Sequence, residues 1–178
     1  MTIYDELKKD HRTVLSLLDR LIAEPQAVGD PRGAIVQELR DELIPHARAE
    51  EAILYNALRD AGEAKGKVAH AYVEHVEAET LLRALQAADA ADLTWVAAAK
   101  KLRESLAHHI AEEEGEVFAA ARRVFSDEEA AQMGEAFRQM KPQVREEGFM
   151  GTTLDMIANL LPARLRASVR KGAASRAA

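Results

Sequence analysis

Four histidines interrupt otherwise apolar stripes, and three of them are followed by a glutamate four residues later: His11, His46 with Glu50, His75 with Glu79, and His109 with Glu113. On a helix, an i, i+4 pair points two side chains at one spot. An imidazole nitrogen and a carboxylate oxygen brought together form a donor set suited to iron, manganese or zinc. The segment HHIAEEEGEVF, residues 108–118, makes the reading harder, because His108/Glu112 and His109/Glu113 share the same spacing.

The flanking residues separate the two pairs. At about 100° per residue, His109 and Glu113 fall on the stripe of Trp95, Ala99, Leu102, Leu106, Val117, Ala120 and Val124. His108 and Glu112 share a side with Lys101 and Ser105, which predicts a solvated pair. In the same way, His75 and Glu79 follow Val68, Tyr72 and Leu82, whereas His70 and Glu74 read as an outer-face pair.

Five of the six histidines have glutamate at i+4, and 20 glutamates in 178 residues would place fewer than one there by chance. Surface helices use the same spacing for simple ion pairs, so the motif alone is weak. Burial sharpens it. A buried carboxylate without a partner costs several kcal/mol, and no Lys or Arg lies nearby on these stripes. A metal ion supplies the missing positive charge and accepts both donor types. The seven candidate ligands are His11, His46, Glu50, His75, Glu79, His109 and Glu113. They exceed the four of a structural zinc site and suit two ions with open positions, bridged by carboxylates. The Glu-x-x-His pattern of ferritin-like centres is absent, since Leu43, Tyr72 and Leu106 stand three residues before the histidines.

The elements that must position these groups read as helices. The chain is 48 % hydrophobic but only 4 % aromatic, with nine Gly and five Pro, a composition that favours helix. The periodicity predicts helices over about 2–24, 34–60, 66–88 and 92–124, with Thr2 and Asp92 as N-caps and a kink or restart at Pro45. A Pro- and Gly-rich loop is expected at 24–33. Ser126 and Glu129 form a capping box that starts a fifth helix, fading near Pro142. The expected architecture is an all-α, antiparallel up-down-up-down four-helix bundle over residues 1–125, with a C-terminal helical extension and basic tail over 126–178. Counting residues puts His11, His46 and Glu79 at one level, and His109 one to two turns beyond it.

The net charge of −6 divides into +4 over residues 148–178 and −10 over the rest. This balance argues against general nucleic-acid binding. The absence of cysteine removes disulfides and thiolate chemistry. The first fifteen residues lack the apolar stretch of a secretory signal, and no run is long enough to span a membrane. A cytoplasmic protein is the expectation. The tail combines Leu154, Ile157, Leu160 and Leu161 with Arg164, Arg166 and Arg170. It is a candidate for contact with an acidic protein partner, while membrane contact is not expected. The last residues, GAASRAA, are expected to be disordered.

The motifs carry a family resemblance. His11 in DELKKDHRTVLSLLDRL, His46 and Glu50 in IPHARAEEAILYNAL, His75 in VEHVEAETLLRAL, and His109 and Glu113 in HHIAEEEGEVF resemble a hemerythrin-like domain of the HHE cation-binding type, over about residues 1–125. The resemblance implies a non-haem di-iron bundle that handles dioxygen, nitric oxide or peroxide, with the four histidines as terminal ligands and Glu50 and Glu113 as bridges. Two departures stand out. Glu79 occupies the place of a second histidine on the third helix, and the last carboxylate of hemerythrins proper falls at Glu114. A more anionic site favours ferric iron over reversible oxygen carriage. Relatives that repair iron–sulfur centres often carry cysteine, which is missing here.

Three readings follow: a peroxide- or nitric oxide-consuming di-iron oxidoreductase, a sensor or iron store without turnover, and a metal-free helical scaffold. Tyr72, one turn from His75, is either a ligand-orienting hydroxyl or, more simply, a core tyrosine.

Overall fold

The fold comes from a computed structural model that describes residues 1–23, 31–88 and 93–147. Five long helical rods account for nearly all of the described residues, and there is no strand among them. Helix α1 spans Ile3–Ala23. Helix α2, Pro31–Glu50, passes through a π turn at Glu51–Tyr55 into the short α3, Asn56–Asp60. Helix α4 spans Lys65–Ala87. Helix α5, Leu93–Glu112, passes through a second π turn at Glu113–Val117 into α6, Phe118–Val124. Helix α7 covers Asp127–Glu147.

The local signals explain the boundaries. Thr2 and Asp5 cap α1 reciprocally: the Thr2 amide donates to Asp5 Oδ2 at 2.8 Å, and the Asp5 amide to Thr2 Oγ1 at 3.4 Å. Ser126 and Glu129 form the same box before α7, at 2.9 and 3.2 Å. Pro31 opens α2, where its missing N–H costs nothing. Of the kink or restart expected at Pro45 the restart is corrected, and so is the fading near Pro142. Helix α2 continues through Pro45 instead of restarting there, and α7 continues through Pro142 to Glu147. The loop after α3 turns on Gly62 (φ 81°) and Ala64 (φ 50°), both left-handed.

Helices α1, α2, α4 and α5 each pack against two of the others around a common interior. That interior holds two apolar clusters. One gathers Leu7, Ala49, Ile53, Ala71 and Val117, and the other gathers Val14, Leu43, Ala78 and Leu106. Each of these four helices passes from one cluster to the other and places a histidine at the crossing: His11, His46, His75 and His109. The polar centre is therefore a belt between two greasy ends.

Helix α7 lies against α1 and α2. It contributes Ala130, Met133, Ala136, Phe137 and Met140 to the first cluster. Gly134 sits so close to the N-terminus that a Cβ there would fall 2.7 Å from the Met1 carbonyl oxygen. No helix among the described residues is long and apolar enough to cross a membrane. Of the loop expected over 24–33, residues 31–33 belong to α2 instead, and 24–30 lie outside the described residues, as do the Asp92 cap, the amphipathic 154–161 stretch, the basic tail and GAASRAA.

Candidate metal centre

All four histidines at the belt are buried, and so are Glu50 and Glu113, at 0 % and 1 % exposure. Each ring turns its Nδ1 outward onto a carboxylate. His11 Nδ1 lies 2.8 Å from Glu114, His46 Nδ1 3.1 Å from Asp10, His75 Nδ1 3.0 Å from Glu51, and His109 Nδ1 2.9 Å from Glu74. A carboxylate accepts from Nδ1–H, which fixes the tautomer and leaves the Nε2 lone pair facing the interior.

The Nε2 atoms converge on two glutamates. Glu50 Oε2 lies 3.6 Å from His46 Nε2 and 3.5 Å from His75 Nε2. Glu113 Oε2 lies 3.2 Å from His11 Nε2 and 3.9 Å from His109 Nε2. The rings pair off as His11 with His46 (centroids 5.1 Å apart) and His75 with His109 (4.8 Å), the latter with their Nε2 atoms 3.2 Å apart. Each glutamate thus touches one histidine of each pair. His109 stands level with His75, which corrects the one- to two-turn offset expected from residue counting.

Both carboxylate oxygens of Glu50, both of Glu113, and His11 Nε2 are buried and make no hydrogen bond. Such orphans are costly in a protein interior. Imidazole and carboxylate donors aimed into one small space fit a bound cation, and Glu50, His75 and His109 alone already form a metal-capable group.

The protonation pattern tells the same story. Burial and the nearby Glu113 charge push Glu50 well above the usual carboxylate range. Burial works in the same direction on Glu113, but Glu50 and His11 outweigh it and hold Glu113 low. Glu50 is therefore the acid that keeps its proton, and Glu113 the one that is charged, when no cation is present. Burial lowers His46 to about 4 and also lowers His75. For His11, burial is outweighed by Glu113 and Glu114, and its affinity for a proton rises.

Six of the seven expected ligands come together: His11, His46, Glu50, His75, His109 and Glu113. Glu79 does not, and that expectation is corrected. It pairs with Arg48 at 2.7 Å and Arg83 at 3.2 Å, at the edge of the bundle. On α4 the buried stripe runs Ala71, His75, Ala78, Leu82, so it turns from His75 to the i+3 residue instead of the i+4 residue. In the π turn after α5, Glu113 faces the interior and Glu114 holds His11 from behind while reaching Lys8 at 3.6 Å.

Glu74, read as solvated, is buried against His109. The Tyr72 hydroxyl lies 3.3 Å from Asn56 Oδ1 and 3.4 Å from the Glu51 carbonyl, to which it donates. A different tyrosine approaches the centre. The Tyr55 ring stacks on His75 at 5.6 Å, and its hydroxyl is buried beside Glu50 without hydrogen-bond geometry.

The carboxylates behind the histidines had a sequence signature that went unread. Asp10-His11, His46 and Glu50-Glu51 recur as Glu74-His75, His109 and Glu113-Glu114. In each half, an acid stands directly before the first histidine and a second glutamate directly follows the buried, inward-facing one. Both doubled glutamates lie at the start of a π turn, a feature often found at functional sites.

The family model described as "Hemerythrin HHE cation binding domain" matches residues 2–121. A "DNA nickase" from Nostoc sp. strain PCC 7120 is 29 % identical over 149 residues, covering 82 % of this chain and 41 % of the relative, so the chain spans less than half of that protein. A solved structure, a Hemerythrin HHE cation binding domain-containing protein from Mycobacterium kansasii, superposes with a TM-score of 0.70 at 24 % identity, covering 94 % of this chain and 99 % of that one. That last likeness concerns the fold.

Proposed function

The chain belongs to the hemerythrin HHE cation-binding domain family, and on that premise we propose that it holds two iron ions within the helical belt and turns over peroxide there. Dioxygen and nitric oxide are further ligands of the same position. One relationship carries the reading: Glu50 and Glu113 each face one histidine from each of two imidazole pairs, so each carboxylate would serve both halves of the site. The proposed topology is the up-down bundle, with α7 added. Lys67 meets Glu112 and His75 meets His109, which supports opposite directions for α4 and α5.

When bound, an iron pair supplies redox equivalents and an open Lewis-acidic position for peroxide. The chain's own residues do the rest. The four Nε2 atoms and the two buried carboxylates would hold the ions, and Asp10, Glu51, Glu74 and Glu114 keep the rings turned inward. Glu50 would give up its proton to take part in holding the ions. Burial, then the charges of Glu113, Glu50 and Glu51, keep the Tyr55 phenol protonated, with its hydroxyl beside Glu50. Two carboxylates and a phenol make an oxygen-rich environment that favours the ferric state and turnover over reversible oxygen carriage.

A small pocket gives access. It is lined by Leu43, Ala47, Ala78 and His75, with Arg48 and Glu79 paired at its rim. It has room for about one water-sized molecule, so entry of peroxide would need the Arg48–Glu79 pair to move aside.

The Nostoc protein's named nicking activity draws no support from a strongly acidic chain, because nucleic-acid backbones are met by basic surfaces.

Metal content and the visible spectrum, recorded before and after peroxide, test the reading. Two irons per chain with peroxide consumption are expected. Stoichiometric manganese or zinc in place of iron would reassign the cofactor. A metal-poor protein from iron-rich medium would return it to the scaffold reading, and loaded protein inert to peroxide would make it a binding protein.

A further inference from the structure

The outer side of α4 and α5 carries a second donor set that the belt does not use. His70, Glu74, His108 and Glu112 place one ligand atom each within 4.8 Å of all the others. The structure assigns these four residues to a separate surface site for a divalent transition cation of the zinc class.

Their arrangement is better suited to a cation than that of two unrelated surface pairs. Helices α4 and α5 run in opposite directions here, since Lys67 meets Glu112 and Glu116 while Glu74 meets His109. His70 therefore stands across from Glu112, and Glu74 across from His108. Imidazole and carboxylate alternate around the site. Two carboxylates balance a dication, and two imidazoles complete four donors, the number a tetrahedral ion takes.

The distances leave a short way to close. His70 Nε2 is 3.5 Å from Glu74 Oε1, and His108 Nε2 is 3.8 Å from Glu112 Oε1. Donors about 2 Å from a tetrahedral ion stand about 3.3 Å apart. The two histidine side chains are 54 % and 65 % exposed and free to turn inward, whereas Glu74 is 10 % exposed and already held. Lys67 is the competitor. It lies 3.3 Å from Glu112 but also 3.1 Å from Glu116, so it keeps a partner when an ion displaces it.

Glu74 connects this site to the interior. Its Oε2 accepts from His109 Nδ1, while its Oε1 faces His70. An ion on Oε1 draws charge away from the oxygen that orients His109. Occupancy of the surface is thereby felt by a ligand of the buried centre.

Equilibrium dialysis of the iron-loaded full chain against Zn(II) tests the site. One zinc per chain beyond the interior metal is expected. The double variant His70→Ala/His108→Ala should bind it at least tenfold more weakly, with iron content and melting temperature unchanged. Lys67→Ala should bind it more tightly. Co(II) should give the intense visible bands of tetrahedral coordination in the wild type and lose them in the double variant. Equal zinc uptake by wild type and double variant, or none by the wild type, would overturn the site. Bound zinc that leaves the iron absorption unmoved would overturn the link through Glu74.

Discussion

Glu113 and Glu114, neighbours in sequence, hold opposite nitrogens of one imidazole: Glu113 Oε2 lies 3.2 Å from His11 Nε2, and Glu114 Oε1 lies 2.8 Å from His11 Nδ1. Glu50 and Glu51 do the same to His75, at 3.5 and 3.0 Å. Consecutive residues on a regular α-helix diverge by about 100°. Each pair stands where an α-helix gives way to a π turn, and the wider turn lets both side chains serve one ring.

The outer members of these pairs position histidines and are not expected to touch the metal. Replacing Glu114 or Glu51 with Gln keeps an acceptor but removes the charge. Iron affinity should fall about 10- to 100-fold, as read by competition with a chelator. The helical circular dichroism should stay unchanged.

Glu79→Gln should leave iron content intact, because Glu79 serves the rim of the pocket. Loss of its pair with Arg48 loosens that rim. Stopped-flow mixing should show faster reaction with peroxide at unchanged metal stoichiometry. Loss of iron in this variant would restore Glu79 to the ligand set.

Tyr55→Phe removes a buried hydroxyl that has no hydrogen-bond partner, so folding should survive. The visible spectrum of the iron-loaded protein should shift and peroxide consumption should fall at least several-fold. An unchanged spectrum and rate would confine Tyr55 to its stacking role against His75.

The metal-free protein should be most stable near about pH 6.5, the ordinary histidine value. Below it, burial has lowered His46 to about 4 and has lowered His75 as well, so the unfolded chain takes up two protons that the fold refuses; these outweigh the one that the raised Glu50 keeps in the fold, and stability falls with pH. Above it, Glu50 and His11, both raised, retain protons in the fold that the unfolded chain has released. Stability then falls as pH rises, by about 1.4 kcal/mol per pH unit for each such proton. Urea midpoints at pH 6.5 and 8.5 measure this. Metal loading should abolish the upper arm, since the cation replaces the proton.

Two backbone positions should respond in opposite directions. Ala64 sits at φ 50°, a region that costs a side chain about 1–2 kcal/mol, so Ala64→Gly should raise the melting temperature. Gly134→Ala forces a Cβ against the Met1–Thr2 backbone and should destabilise by about 1–3 kcal/mol. Its effect should include iron binding, because the same helix brings Lys141 to Asp10 at 2.6 Å, behind His46.

Helix periodicity and the i, i+4 rule are properties of the chain alone. They were enough to place the rods, the four histidines, Glu50 and Glu113, because an apolar stripe broken by His and Glu is visible along one helix. Sequence spacing could not decide between Glu79 and Glu74, or between Glu113 and Glu114, because neighbouring residues straddle the same stripe. That choice depends on the rotation of each helix against its partners. Packing turned α4 so that Ala78 follows His75 inward and Glu74 backs His109, and two π turns reset the phase after Glu50 and Glu112. Nor could local pattern reveal which acid stands behind which ring. Those hydrogen bonds join different helices, and their partners are separated in sequence by 103, 36, 24 and 35 residues. They exist only once the bundle has closed.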